Sequence, residues 1–134
     1  MILVDTSVLI DFFKNKATES VLSLQYIIAM NIPFGISLTI YQELLQGVAT
    51  EKQYLDLKRY LDTQRFYYLL RDKESYADAA RIYFRCRKEG VTISSTIDCL
   101  IAQTAIENNL ELLHNDADYD KIGKIVQKLK IYRR

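Results

Sequence analysis

The chain opens on three consecutive apolar residues, Ile2-Leu3-Val4, that stop at Asp5. A short apolar run without polar alternation fits a strand buried on both faces, as in a parallel sheet. Thr6 and Ser7 follow as candidate caps for a helix carrying Val8, Leu9, Ile10, Phe12 and Phe13. A second helical stretch, from about Thr18 to Met30, leads through Asn31 and Pro33 into Phe34 to Ser37, which reads as another strand. Ile40, Tyr41, Leu44, Leu45 and Val48 then recur at helical spacing, and that helix carries Glu43. The pattern continues with a helix from Glu51 to Asp62 and a strand over Phe66-Tyr67-Tyr68-Leu69-Leu70, where aromatic and aliphatic residues are dense. Tyr76, Ala79, Ala80 and Tyr83 mark one stripe of a long helix that Gly90 is placed to stop. Thr96 opens a further helix with the stripe Ile97, Leu100, Ile101 and Ala105, and Asp98 lies in its first turn. Leu110 to Leu113 forms a short buried strand ending at His114-Asn115-Asp116, and Ile125 to Tyr132 supplies a helix end or an edge strand.

Strands alternating with helices predict an α/β fold with a mainly parallel sheet and helices on both faces. In such sheets ligands sit outside the carboxyl ends of the strands, which is where Asp5 and Asp116 fall. The length of 134 residues predicts one domain over residues 1–134. With 49% apolar and 26% charged residues, only one Pro and four Gly, nothing marks a disordered tail or a loop-rich scaffold. The first residues lack the basic leader of a signal peptide, and no apolar run reaches the ~18 residues needed to cross a bilayer, so a cytoplasmic protein without a membrane partner is expected. Cys86 and Cys99 have no C-x-x-C spacing and read as buried thiols rather than metal ligands.

Nucleophilic catalysis has little to work with. The single His114 has no Ser or Cys nucleophile at a recognisable motif, and there is no Gly-rich phosphate loop. Carboxylate chemistry remains. Clustered Asp and Glu side chains repel one another, a cost that a divalent cation in their midst would offset, and hard Mg²⁺ or Mn²⁺ prefers oxygen ligands.

Four segments resemble one family: ILVDTSVLIDFF from Ile2, TIYQELLQG around Glu43, DCLIAQTAIENNLELL from Asp98, and HNDADYDKI from His114. Taken in order along the whole chain they resemble the PIN-domain ribonucleases, and more narrowly the toxins of bacterial and archaeal toxin–antitoxin pairs. The resemblance implies a three-layer PIN-like fold, a parallel sheet of four or five strands flanked by helices. It also implies an endoribonuclease that hydrolyses RNA phosphodiester bonds using one or two Mg²⁺ or Mn²⁺ ions per site, inhibited by a small antitoxin protein and homodimeric. Position by position, the family acids fall on Asp5, Glu43, Asp98 and Asp116 as catalytic residues. Asp5, Asp98 and Asp116 become metal ligands, Asp118 joins them as the second acid of a D-x-D, and Thr6 orients the first acid or a water. Tyr119 departs from the usual Phe, and His114 from the usual Thr or Ser.

Each acid also has a structural alternative. Asp5 suits a helix N-cap, although Thr6 and Ser7 make it redundant there. Glu43 lies outside its helix's apolar stripe and by periodicity alone is a surface residue. Asp98 suits the helix macrodipole, and Asp116 and Asp118 suit a turn. Asp11 and Asp120 read as ordinary surface acids.

The formal charge of +1 sums 18 basic and 17 acidic side chains, and setting the five site candidates aside leaves the rest of the chain at +6. That balance suits a polyanionic substrate cut in an acidic cleft. Lys121, Lys124, Lys128, Lys130, Arg133 and Arg134 form an acid-free basic stretch that reads equally as a phosphate-tracking or partner-binding tail and as a solvated helix or charged edge. Arg71, Lys73, Arg81 and Arg85 share that ambiguity, and the ten Tyr divide between base stacking and packing. Two rivals differ in class. One is a catalytically silent PIN-like module that binds RNA or protein. The other is a phosphotransfer receiver or aspartyl phosphatase, which would want a late-strand Lys or a D-x-D after the first strand where this chain has Asp-Thr-Ser.

Overall fold

A computed structural model describes residues 1–133; Arg134, the last of the basic stretch, lies outside the described residues. Twelve elements alternate along the chain: β1 (Ile2–Val4), α1 (Thr6–Phe13), α2 (Glu19–Ala29), β2 (Phe34–Ser37), α3 (Leu38–Gln46), α4 (Glu51–Leu61), β3 (Phe66–Tyr67), α5 (Lys73–Lys88), α6 (Thr96–Glu107), β4 (Glu111–Leu113), α7 (Ala117–Ile125) and β5 (Lys130–Ile131). The strands pair in the order β3-β2-β1-β4-β5, and every pairing is parallel. This is the expected α/β architecture, with five strands and seven flanking helices in three layers.

The strand order explains where a site forms. From β1 the chain steps outward through β2 to β3, then returns to the other side of β1 for β4 and β5. The reversal falls between β1 and β4, whose register pairs Leu3 with Leu112 and Val4 with Leu113. At such a switch point the connections leave in opposite directions and open a crevice at the carboxyl ends. Asp5 follows β1 there, and its N–H extends the ladder to the Leu113 carbonyl at 2.9 Å. Ile2, Leu3 and Val4 are at most 2% exposed, as their unbroken apolar run requires. On the other flank, Gly35 lets β3 close in: a Cβ there would stand 2.4 Å from the Arg65 carbonyl oxygen.

Four expectations need correction. The strand over Phe66 to Leu70 ends at Tyr67; beyond it Leu70 N–H donates to the Glu107 carboxylate instead of to a neighbouring strand. The buried face of α5 is Ser75, Ala79, Ile82 and Cys86, and Tyr76 of the expected stripe is 57% exposed. A serine holds a core position because its hydroxyl donates to Glu107 and accepts from Arg71 N–H. The expected one-sided stripe of α6 is instead burial around most of the helix, including Gln103 and Thr104, whose polar atoms bond Glu107 and the Leu100 carbonyl. Finally, the segment after Asp116 is not an open turn but α7, and the edge strand expected near the end follows it as β5. Gly90, in the left-handed region at φ 79°, does follow the end of α5. Cys86 and Cys99 are buried free thiols, both pushed up by burial, Cys99 to about 11. Among the described residues no helix is long and apolar enough to cross a membrane.

Candidate metal centre

Three helices start at the crevice. Asp5 caps α1, accepting the Ser7 N–H at 3.0 Å, and Asp116 caps α7, accepting the Asp118 N–H at 3.0 Å. Asp98 lies in the first turn of α6, capped by Ser95 rather than by Thr96. The capping alternative for Asp5 is therefore real, and Asp116 is a cap too rather than a turn residue, yet capping does not compete with a site. Capping is what brings the carboxylates to the crevice, and three helix N-termini lend partial positive charge to a place crowded with negative charge.

The carboxylates converge. One oxygen from each of Asp98, Asp116 and Asp118 lies within 4.8 Å of the other two. Asp5, 4% exposed, joins through Tyr119, whose hydroxyl is 2.9 Å from Asp5 Oδ1 and 3.3 Å from Asp98 Oδ1. Glu43 is linked to the same helix start by a 2.7 Å hydrogen bond from Thr6 Oγ1. All five candidate acids thus gather at one end of the sheet. Thr6, however, orients Glu43 and not Asp5. The residue holding Asp5 is Ser7, whose hydroxyl donates to Asp5 Oδ2 at 2.6 Å while accepting the Asn115 N–H at 3.0 Å. Ser7 so ties the start of α1 to the loop that carries Asp116.

Sequence reasoning gave Ser7 only a capping role and gave Tyr119 none. A small hydroxyl residue two positions after a strand-end acid was the available signal for Ser7. Ser94 was missed altogether, since it lies in the irregular segment between α5 and α6. Its N–H and hydroxyl both bind Asp118 Oδ2, at 3.1 and 2.6 Å.

The chain matches the PIN domain family over residues 2–125. It belongs to that family. It is 31% identical over 132 residues to ribonuclease VapC1 of Methanocaldococcus jannaschii, covering 98% of this chain and 86% of that one. It is 29% identical over 126 residues to ribonuclease VapC11 of Mycobacterium tuberculosis, covering 93% of each. Among solved structures, VapBC2 from Rickettsia felis bound to a promoter DNA fragment superposes with a TM-score of 0.74 at 22% identity over 98% of both chains. FitAcB from Neisseria gonorrhoeae gives 0.73 at 19% identity, covering 99% of this chain and 97% of that one. At those identities the structures speak for the fold.

Electrostatics separates the acids of this PIN domain. Burial, then the charges of Asp116, Asp5 and Asp118, raise the Asp98 carboxyl to about 7, against a weaker opposing effect of the Tyr119 hydrogen bond. Burial also raises Glu43, partly opposed by Thr6. Asp118 goes the other way: the Ser94 hydroxyl and N–H hold it below its ordinary value, with Lys121 adding positive charge 3.5 Å away. The donor set suits a hard divalent cation. It is all oxygen, it gathers carboxylates that cannot comfortably share one crevice while charged, and it offers no thiol or imidazole pair.

Among the described residues, members of the basic stretch have different neighbours. Lys121 faces Asp118, Lys130 donates to Asn109, and Arg133 meets Asp120. Lys128 lines a groove with Arg81 and Arg85 beside Gln103 and Ile106, toward the other end of α6 from Asp98.

Proposed function

We propose that this PIN domain, acting as one unit over residues 1–134, is a divalent-metal-dependent endoribonuclease and the toxin of a toxin–antitoxin pair. The observation that carries the reading is the convergence of Asp98, Asp116 and Asp118 within 4.8 Å at the switch point of the sheet. Asp5 stands beside them through Tyr119. The ribonuclease names of the relatives that match nearly the whole chain agree with it. The substrate is RNA, and the protein partner is a small antitoxin, in keeping with the VapBC complexes among the structural neighbours. The protein works in the cytoplasm as a homodimer.

Asp5, Asp98 and Asp116 would hold one Mg²⁺ or Mn²⁺, with Asp118 able to share it or a second ion. When bound, the ion supplies an activated water for attack on phosphorus and charge to steady the leaving oxygen. The chain's own contribution is position. Ser7 fixes Asp5, the α7 cap fixes Asp116, and Thr6 aims Glu43 toward the crevice, where it orients the attacking water and takes its proton. Cleavage leaves 5′-phosphate and 3′-hydroxyl ends. The test is cleavage of single-stranded RNA by purified protein with Mg²⁺ or Mn²⁺, with EDTA, and with Asp98→Asn. The reading expects activity only with metal and a loss of more than ~100-fold in the variant, since even residues that merely support a metal ligand are worth 10–100-fold. Cleavage that ignores EDTA or the substitution overturns it.

A further inference from the structure

Tyr119 is fully buried, yet its hydroxyl reaches two acids at the starts of different helices, Asp5 at 2.9 Å and Asp98 at 3.3 Å. A phenol has one proton to give and lone pairs to receive with. Between two carboxylates, which when ionised can only accept, the phenol is the donor. Tyr119 is itself held in place. Its ring packs against the His114 ring at 5.1 Å, and His114 Nδ1 accepts the Asp116 N–H at 3.0 Å. One aromatic pair therefore touches Asp5 and Asp98 through a hydroxyl and Asp116 through its backbone.

We propose that Tyr119 is a positioning residue for the metal centre: its one hydroxyl proton, shared between Asp5 Oδ1 at 2.9 Å and Asp98 Oδ1 at 3.3 Å, clasps the two carboxylates so that their remaining lone pairs converge on the ion. Without that clasp two like-charged side chains on different helices would splay apart, and the ion would have to gather them on binding. The fold does not need the hydroxyl. The ring fills the core by itself, and a phenylalanine would occupy the same space while leaving Asp5 its two donations from Ser7.

This rests on the metal-site reading given above, and the experiment separates the two. Mn²⁺ binding to wild-type, Tyr119→Phe, Asp98→Asn and the double variant is measured by electron paramagnetic resonance in the absence of RNA, with melting temperature in EDTA recorded for each. The expected result is Mn²⁺ affinity lowered about tenfold by Tyr119→Phe. The metal-free melting temperature should stay nearly unchanged, and the effect should be smaller in the Asp98→Asn background, because the hydroxyl then has one charged acid fewer to hold. A wild-type protein that binds no Mn²⁺ refutes the metal site itself and the clasp with it. A wild type that binds, paired with a Tyr119→Phe variant that binds equally well or more tightly, refutes the clasp alone. So does a loss of melting temperature without a loss of affinity, which would make the hydroxyl merely structural.

Discussion

One helix carries a guarded carboxylate at each end, and the two are treated in opposite ways. Asp98, in the first turn of α6, faces Asp5, Asp116 and Asp118 and is raised to about 7, chiefly by burial and then by those charges. Glu107, the last residue of the same helix, has a side chain only 7% exposed, and burial by itself would raise it too. It is lowered instead, because donors surround it: the Leu70 N–H at 2.7 Å, the Gln103 amide at 2.8 Å, the Ser75 hydroxyl at 2.9 Å, and the Arg71 guanidinium beyond. The helix dipole predicts the reverse order, since it favours a negative charge at the N-terminus and opposes one at the C-terminus. Local donors decide. Glu107 is saturated with protein donors, whereas Asp98 faces three other acids with one 3.3 Å hydrogen bond from Tyr119 to set against them.

Removing each carboxylate should break the comparison most sharply. Glu107→Ala leaves the Leu70 N–H, the Gln103 amide and the Ser75 hydroxyl unpaired where β3 leaves the sheet, costing about 2–3 kcal/mol. A fall of roughly 10 °C in melting temperature follows, with cleavage per folded molecule unchanged. Asp98→Asn, expected to lose cleavage, should instead raise the melting temperature of the metal-free protein at pH 8, because it removes an ionised group from a crowd of acids. Differential scanning calorimetry of the two variants in EDTA reads both signs, and equal destabilisation by the two would erase the distinction.

The pH dependence should follow the same division. Asp98 has a folded value above its unfolded one, so its stabilising contribution is complete below about 4 and is lost as pH rises through about 7. Glu107 and Asp118 are lowered, so theirs is present at neutral pH and is lost only as pH falls through their folded values, below the ordinary carboxylate range. Metal-free protein should therefore lose stability between about pH 4 and about pH 7 by way of Asp98, and Mn²⁺ should flatten that slope by favouring the ionised form. Urea titrations with and without Mn²⁺ check it. A slope that is identical with and without the ion would place Asp98 outside the metal site.

The contrast also explains what could be read beforehand. The alternation of buried runs and helical stripes located β1, β2, β4 and most helices, and placed Asp5 and Asp116 after two strands, because periodicity and strand-end chemistry are local. Glu43 and Asp98 were reached only through family resemblance: neither helix face nor capping distinguishes them from surface acids. The contacts that organise the site were not legible. Ser7 with Asn115, Thr6 with Glu43, Ser94 with Asp118 and Tyr119 with Asp5 span up to 114 residues, and no local pattern encodes which hydroxyl finds which acid. The same limit hid the burial of Ser75, a polar residue that enters the core because Glu107, 32 residues along the chain, satisfies it. α7 was missed because its acid-rich first turn reads as a turn, although acids there are what a helix N-terminus favours.

The smallest expected effect sharpens the comparison within the site itself. Glu43 is intermediate between the two ends of α6: raised chiefly by burial, but held down by a single hydroxyl, Thr6 Oγ1 at 2.7 Å. Thr6→Val keeps the side-chain shape and removes that donor, so Glu43 should titrate higher and swing more freely. A hydroxyl's hydrogen bond to a carboxylate at this half-buried position is worth about 1 kcal/mol, which corresponds to several-fold in rate if the charged form is the one that works. Cleavage by Thr6→Val should thus fall several-fold on the acid side of the pH profile and recover toward the wild-type rate as pH rises, because losing the Thr6 donor moves the Glu43 titration upward. A uniform loss at every pH would mean that Thr6 places Glu43 in space rather than tuning its proton, and a pH-independent wild-type rate would remove Glu43 from the proton transfer altogether.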